Sequence, residues 1–258
     1  MLGHGMKGLQ LEAYLMEGAR LLGLSLDQDR ARLFLRYLEF LQREKQNLTT
    51  VTSPHEVVEK HFLDSLAVAT VTPLACGLSV LDVGSGAGFP GVPLKILEPG
   101  ICLTLLEPRA RRAFFLEELR GALFLEDVVV RRQRAEDFLR EPQAREKFAL
   151  VTARAVAPLN VLAEYCLPAV AVHGHWVACK GPEVVKELAQ AKEAVDLLGG
   201  RIVEIRELTL PYSGSLRTLV VVEKARPAPV RFPRPAGVPA RRPLGVAGPA
   251  GIKAKDGE

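Results

Sequence analysis

The sequence predicts an α/β fold, a mostly parallel sheet of seven strands that ends in an antiparallel hairpin. From residue 78 onward, short apolar runs alternate with amphipathic helices, the pattern of right-handed βαβ units. The last two runs are joined by residues 211–215 without a helix, which indicates a hairpin. The first 72 residues show only helical periodicity, so a small N-terminal helical extension precedes the sheet.

These patterns divide the chain into a helical cap (1–72), a sheet domain (73–224) and a basic tail rich in proline and glycine (225–258). Two helices are predicted within residues 9–45. A third begins at Ser53 and runs to about Val71, with Ser53, Pro54 and Glu56 spaced as in a capping box. Strands are predicted at 79–83, 102–107, 127–132, 148–153, 176–180, 201–208 and 217–224, and helices at 92–97, 110–121, 135–139, 159–172 and 182–198.

Composition excludes several classes of protein. A chain of 258 residues that is 48% hydrophobic is not wholly disordered. The longest apolar stretch, residues 155–172, is interrupted by polar residues and proline, so a buried helix fits it better than a membrane span. No secretory signal is visible, and we expect a cytoplasmic monomer. The four cysteines (76, 102, 166 and 179) lack metal-site or disulfide spacing, so no metal is expected and the thiols should be reduced and mostly buried.

The net charge of +4 is concentrated at the C-terminus. From Lys224 onward, eight Lys and Arg residues face two acidic residues. Such a tail is typical either of a phosphate-binding arm or of a solubilising end. Its seven prolines and five glycines from residue 225 disfavour regular structure, and we expect it to be mobile at least beyond Leu244.

A glycine-rich turn follows the first predicted strand and opens a helix. Residues 82–91 are DVGSGAGFPG, and their glycines allow positive φ and close approach of a ligand. From Gly86 the string matches the dinucleotide fingerprint GxGxxG, and Glu107 suits ribose hydroxyls. Asp82, however, precedes the first glycine, and a carboxylate favours a cationic ligand over a pyrophosphate. The string D-x-G-x-G-x-G therefore resembles the S-adenosylmethionine motif of Rossmann-like methyltransferases, with a nicotinamide enzyme and a purely structural loop as alternatives.

Two classes of methyltransferase are disfavoured. Amino-group methylases resemble one another in an Asn/Asp-Pro-Pro-aromatic string after the fourth strand, where residues 151–158 here are VTARAVAP. Carbon-5 pyrimidine methylases use a cysteine that follows proline, and no cysteine here does so.

Collinear strings between about residues 44 and 244 resemble the glucose-inhibited division protein B family, the guanine nitrogen-7 methyltransferases of small-subunit (16S) ribosomal RNA. The strings are NLT at 47–49, HFLDSL at 61–66, LDVGSGAGFPGVP at 81–93, RAE at 134–136, RA at 154–155, KG at 180–181 and FPRPAGVP at 232–239. The resemblance implies S-adenosylmethionine as cofactor, and ribosomal RNA or the assembled small subunit as partner.

The resemblance also assigns a methyl-donor site. The glycine loop would surround the methionine part of the donor through Asp82, Gly84, Ser85, Gly86, Gly88 and Phe89. Residues after the second, third and fourth strands would hold the ribose, flank the adenine and close the pocket: Glu107, Pro108, Arg109, Ala135, Glu136 and Arg154.

Attack by the lone pair of guanine nitrogen-7 needs no general base, so catalysis would depend on alignment and electrostatics. The catalytic residue is unknown; the candidates are Arg154, His61, Asp64 and Lys180, although His61 and Asp64 equally suit a packed helix surface. RNA contacts are expected from Arg131, Arg132, Lys180, Arg231, Arg234, Arg241 and Arg242, whereas Trp176, Phe114 and Phe115 should lie in the core. The alternatives are methylation of another RNA or a small molecule, and a non-catalytic RNA-binding protein on the same fold.

Overall fold

The computed structural model describes residues 6–43 and 53–246. Within these residues, seven strands form one sheet: β1 (Ser79–Val83), β2 (Cys102–Leu106), β3 (Val128–Arg131), β4 (Phe148–Arg154), β5 (Val170–Lys180), β6 (Gly200–Thr209) and β7 (Leu216–Lys224). The α-helices are α1 (Met6–Leu21), α2 (Gln28–Arg43), α3 (Pro54–Val57), α4 (Asp64–Leu66), α5 (Gly91–Leu97), α6 (Ala110–Ala122), α7 (Ala135–Phe138), α8 (Leu159–Cys166), α9 (Val185–Leu197) and α10 (Val238–Arg241).

The sheet has the strand order β3-β2-β1-β4-β5-β7-β6. All neighbouring strands are parallel except those that pair with β7, which confirms the predicted sheet and its C-terminal hairpin. The chain moves outward from β1 to β3 and then returns to the other side of β1 as β4. Ligands of open α/β sheets bind at such a reversal, beside the carboxyl ends of the strands, so the site is expected where β1 and β4 end.

The N-terminal helices share their core with the sheet. Leu15 of α1 and Phe34 of α2 are fully buried, and both belong to the hydrophobic cluster that contains Val80 of β1 and Leu103 of β2. The helical extension predicted before the sheet is therefore present, and it covers one face of the sheet.

Residues 54–70 form a continuous helical path of changing pitch. A π-helical turn (Val58–Leu63) separates α3 from α4, and a 3-10 turn (Ala67–Thr70) follows. The predicted start near Ser53 is confirmed, but the capping box is wrong: the Ser53 side chain makes no cap hydrogen bond to the described residues. Isolated π turns often occur at functional sites because they displace side chains from regular helical positions; this one contains His61.

The boundary between α8 and β5 differs from the prediction. The helix expected over 159–172 ends at Cys166, and β5 begins at Val170, six residues before the predicted strand. An apolar run does not by itself distinguish a buried helix from a buried strand, and Pro168 is of the kind that follows a helix end. The extra strand residues are irregular: the register with β4 shifts between Phe148 and Leu150.

Burial agrees with the sequence at some predicted core positions and differs at others. Trp176 and Phe115 are buried as predicted, but Phe114 is 64% exposed, because adjacent residues of a helix point to different sides. Cys166 and Cys179 are buried, whereas Cys76 and Cys102 are exposed, so the expectation of mostly buried thiols is wrong for two of the four.

The tail is packed as far as it is described. Phe232 is 4% exposed and lies in the second hydrophobic cluster, beside residues of α8, and residues 238–241 form the short helix α10. The predicted mobility beyond Leu244 falls almost entirely outside the described residues. Across residues 6–43 and 53–246, we find no helix with the length and apolar character needed to cross a membrane.

Candidate active site

Two cavities open beside the carboxyl ends of the parallel strands and share Ala155, the residue after β4. The first, here called the loop cavity, has a volume of about 230 Å³ and is lined by Val83, Gly84, Leu106, Glu107, Pro108, Arg109, Arg112, Gln133, Arg134, Ala135, Glu136, Ala155, Val156 and Tyr165. The second, the arginine cavity, has a volume of about 370 Å³ and is lined by Lys60, His61, Asp64, Arg154, Ala155, Cys179, Lys180, Gly181 and Arg217.

The turn that separates the cavities has an unusual backbone. Ala155 has φ of 54°, in the left-handed region that residues with a Cβ rarely adopt. The next residue, Val156, packs over the glycine loop, and a Cβ on Gly84 would lie 2.6 Å from Val156 Cγ2. Residues 155 and 156 therefore shape the entrance to the loop cavity as well as its boundary with the arginine cavity.

The glycine loop is fixed from beneath by helix α2. Gly88 has φ of 101°, and a Cβ there would lie 2.7 Å from Tyr37 Oη and 2.8 Å from Val92 Cγ2. The fully buried Tyr37 donates its hydroxyl hydrogen bond to the carbonyl oxygen of Ala87. Glycine at position 88 thus meets two requirements, a positive φ and close approach of a tyrosine.

Glu107 connects the loop to the next strand. Its carboxylate is 3% exposed and accepts hydrogen bonds from the backbone N–H of Gly86 (3.0 Å) and of Arg109 (2.9 Å). An ionised carboxylate has about four acceptor positions. Two of these remain for a ligand in the loop cavity.

Asp82 and Ser85 lie beneath the loop. The fully buried Asp82 carboxylate accepts hydrogen bonds from the N–H of Gly91 and the hydroxyl of Thr152, both at 3.1 Å, and the Ser85 hydroxyl donates to the Asp82 carbonyl oxygen at 2.9 Å. Burial raises the pKa of Asp82 to about 6, although these hydrogen bonds oppose the shift. Asp82 therefore joins β1, β4 and the start of α5, instead of facing a cationic ligand as expected from its place before the first glycine.

Phe89 lies behind the arginine cavity. Its ring stacks on His61 at 4.9 Å between centroids and on Tyr37 at 5.3 Å, and the guanidinium carbon of Arg154 is 4.8 Å from its centroid. This cation–π contact and the ring stacking fix Arg154 and His61 in the cavity wall.

The arginine cavity contains a carboxylate held between two guanidinium groups. Asp64 accepts a hydrogen bond from Arg154 Nη1 at 3.1 Å through one oxygen and from Arg217 Nε at 3.0 Å through the other. Lys180 is also engaged, because its ammonium group is 2.8 Å from Glu187 and donates to the Ala157 carbonyl oxygen at 3.0 Å. Three of the four catalytic candidates are thus involved in ion pairs.

His61, the fourth candidate, is a neutral ring. Burial and the nearby charge of Arg154 lower its pKa to about 4. Its Nδ1 lies 3.1 Å from the Lys60 carbonyl oxygen, which can only accept, so Nδ1 carries the proton. The other nitrogen, Nε2, is buried without a hydrogen-bond partner among the described residues.

The remaining predicted residues fall into two groups. Pro108, Arg109, Ala135 and Glu136 line the loop cavity together. Most of the side chains expected to contact RNA are exposed: Arg131, Arg132, Arg231, Arg241 and Arg242. Arg234, by contrast, forms an ion pair of 2.6 Å with the buried Glu164.

Sequence reasoning missed Arg217, Gln133, Val156 and Tyr165. Arg217 could have been found, because it lies at the start of β7, which is antiparallel to β5. The start of β7 is therefore beside the end of β5, where Lys180 pairs with Thr218, the residue after Arg217. Tyr165, in the middle of the apolar run predicted as a helix over 159–172, gave no local signal.

The strand order, the glycine loop after β1 and the acidic residue after β2 define a Rossmann-like methyltransferase dependent on S-adenosylmethionine. Among solved structures, the chain resembles TrmN from Thermus thermophilus (TM-score 0.52, 16% identity, 72% of this chain and 52% of that one). It also resembles a predicted O-methyltransferase from Agrobacterium tumefaciens (TM-score 0.50, 20% identity, 64% and 80%). At these identities the likeness concerns the fold alone.

The sequence model of the rRNA small subunit methyltransferase G family matches residues 30–213, and the chain belongs to this family.

Curated relatives agree over most of the chain. Ribosomal RNA small subunit methyltransferase G of Pelotomaculum thermopropionicum is 47% identical over 230 residues, 88% of this chain and 96% of its own length. The protein of the same name from Symbiobacterium thermophilum is 49% identical over 240 residues, 89% of this chain and 96% of its own. The family resemblance inferred from short motifs is confirmed.

Proposed function

We propose that the protein transfers a methyl group from S-adenosylmethionine to nitrogen-7 of a guanine in small-subunit (16S) ribosomal RNA. The family supports the substrate class. The observation that supports nitrogen-7 as the methyl acceptor concerns Asp64, whose two carboxylate oxygens each accept a hydrogen bond from an arginine. A negative charge fixed in this way suits an acceptor that becomes positively charged on methylation, whereas amino and hydroxyl groups lose a proton and stay neutral. The lone pair of nitrogen-7 has no proton to lose.

The loop cavity would hold the methyl donor. The free acceptor positions of Glu107 suit ribose hydroxyls, and the apolar surfaces of Pro108 and Ala135 lie where an adenine could be flanked, with Glu136 and Arg109 beside them. Gly84 and Arg154 would adjoin the methionine part. Asp82, Ser85, Gly86, Gly88 and Phe89 would support this site from beneath by fixing the loop. When bound, S-adenosylmethionine supplies a methyl group that leaves without the electron pair of its bond to sulfur. That pair stays on the sulfur, which changes from a sulfonium to a neutral thioether.

The target guanine would enter the arginine cavity, next to the boundary at Ala155. Methylation of nitrogen-7 leaves a positive charge on the base. The Asp64 carboxylate would stabilise this charge, an electrostatic contribution of the kind that dominates many enzymes. Arg154 and Arg217 would hold Asp64 in place, so that it needs no reorganisation during the reaction.

Exposed arginines would bind the RNA backbone. Arg131, Arg132, Arg231, Arg241 and Arg242 are accessible for phosphates, whereas Lys180 and Arg234 are already paired with carboxylates and would contribute less. We expect the enzyme to act as a monomer in the cytoplasm, on ribosomal RNA or on the small subunit.

Label transfer to modified RNA tests the proposal. Labelled S-adenosylmethionine is offered to unmethylated small subunits, to deproteinised small-subunit RNA and to a transcript in which 7-deazaguanine replaces guanine, and the product nucleoside is identified by mass spectrometry. We expect 7-methylguanosine from ordinary RNA and no label in the 7-deaza transcript, which lacks the acceptor nitrogen. Label in the 7-deaza transcript would refute nitrogen-7 as the target. Calorimetric binding of the donor without any transfer would refute the ribosomal RNA substrate.

A further inference from the structure

The C-terminal segment, residues 225–246, crosses the outside of α8 toward the loop cavity; we call it the strap. It starts after β7 at the amino ends of the parallel strands. There the guanidinium group of Arg145, which precedes β4, donates to the carbonyl oxygens of Ala228 (2.7 Å) and Phe232 (2.6 Å). At its far end, Asn160 near the start of α8 donates to the Leu244 carbonyl oxygen at 2.9 Å. The strap thus runs from the amino to the carboxyl end of the sheet.

The middle of the strap is held by a buried carboxylate. Glu164 is 1% exposed, and it accepts the backbone N–H of Arg234 at 2.7 Å as well as that side chain's Nε (3.0 Å) and Nη2 (2.6 Å). A guanidinium fork on a carboxylate fixes both orientation and distance. Arg234 therefore fixes the middle of the strap against α8.

Three residues beyond Arg234, the strap meets the wall of the loop cavity. The N–H of Gly237 donates to Glu136 Oε1 at 2.8 Å. Glu136 and Tyr165 both line the cavity. Tyr165 is next to Glu164 in α8. Arg234 therefore contacts the residue beside Tyr165, and Gly237 contacts the Glu136 carboxylate itself.

We propose that Arg234 and Gly237 are positioning residues of the methyl-donor site, acting through Glu136 and Tyr165. Gly237 has φ of 78°, which lets the strap turn its N–H toward Glu136 before α10 begins. Without that N–H the buried Glu136 carboxylate loses a charge-assisted partner and its fixed orientation. This inference rests on the proposed binding of the donor in the loop cavity.

Calorimetric binding of S-adenosylmethionine to the full chain, without RNA, tests the inference. We expect Arg234→Gln to weaken donor binding by about tenfold, the factor that corresponds to about 1.4 kcal/mol. The control is Arg226→Gln, another exposed arginine of the strap that pairs with Asp196 at 3.3 Å, and this variant should bind the donor as the wild type does. Arg234→Lys keeps the charge but loses the fork, so its affinity should lie between the two.

Further readouts distinguish positioning from general stability. In Arg234→Gln, hydrogen exchange of residues 134–139 should increase, and the KM for the donor should rise while kcat at saturating donor is retained. If this variant does not fold, Glu164→Gln, which removes the charge from the fork's acceptor, replaces it with the same expectation.

Wild-type donor affinity in a folded Arg234→Gln protein would overturn the inference and leave the proposed function intact. An equal loss of affinity in Arg226→Gln would also overturn it. Failure of the wild type to bind the donor would overturn both.

Discussion

At the scale of single residues, the arginine cavity depends on the ion pairs that Asp64 forms with two arginines. Asp64 is 10% exposed in its side chain, beside Arg154 at 13% and Arg217 at 25%. A carboxylate at such depth is stable as an ion only when it is paired. The two ion pairs hold Asp64 in place as a fixed negative charge.

Loss of Arg217 should therefore affect the reaction more than the binding of the donor. We expect Arg217→Gln to lower kcat by about tenfold or more, since a misplaced Asp64 stabilises the charged product less well, while the Kd for S-adenosylmethionine is unchanged. Arg201→Gln, at the other end of the same hairpin and paired with Glu223, is the control. Equal changes in kcat and donor Kd would assign Arg217 to the donor site instead.

His61 predicts a pH dependence of stability. Because its pKa falls from 6.5 to about 4 on folding, the unfolded chain binds the proton more tightly between these values. Stability is therefore lost as the pH falls from 6.5 toward 4. We expect the free energy of unfolding of the wild type, measured relative to His61→Gln, to fall by up to about 3 kcal/mol across this range.

Urea unfolding of both proteins at several pH values measures the effect. Asp82, with its pKa raised to about 6, titrates in the same window with the opposite sign, since its folded form binds the proton more tightly. It is present in both proteins and cancels in the comparison. Parallel stability curves for wild type and variant would show that folding does not lower the pKa of His61.

At the scale of elements, the glycine loop is held by α2 as much as by its own sequence. The clash that a Cβ at Gly88 would make with Tyr37 and Val92 couples the shape of the loop to a helix that lies more than 40 residues earlier in the chain. Substitution there should combine backbone strain with overpacking.

We expect Gly88→Ala to destabilise the protein by about 2–3 kcal/mol more than Gly77→Ala does. Gly77 has a similar positive φ of 80°, and a Cβ on it would have nothing within 4 Å, so this variant reports the backbone strain alone. Thermal unfolding of the two variants measures the difference. If both lose the same stability, the contact with Tyr37 does not restrict residue 88.

The limits of sequence reasoning also lie at this scale. The loop after β1 was predictable because glycine spacing and a following helix are local signals. The end of α8 was not, since Val170 and its neighbours are apolar enough for either a helix or a strand. The partners of Glu136 were beyond reach for a different reason: Gly237 is about a hundred residues away, and only the packed chain brings its N–H to that carboxylate.

At the scale of the whole molecule, the arginines of the basic tail lie in two environments. Arg234 is paired with the buried Glu164, whereas Arg241 and Arg242 are exposed and are proposed to bind RNA. We expect Arg241→Gln combined with Arg242→Gln to flatten the dependence of log K for RNA binding on log salt by about 0.7–0.9 for each phosphate that the variant no longer neutralises. Titrations at several salt concentrations measure the slope. An unchanged slope in the double variant would remove these arginines from the RNA interface.

The shared core of the N-terminal helices and the sheet also concerns the order of synthesis. Leu11 and Leu15 leave the ribosome early, yet they pack in the same cluster as Val80 and Leu103. Until the second strand has been translated, the apolar faces of α1 and α2 lack the surface that covers them, and such non-local contacts form slowly. The helices of the cap are therefore synthesised before the strands against which they pack. Until those strands have been translated, the apolar faces of α1 and α2 must be kept from contact with other apolar surfaces.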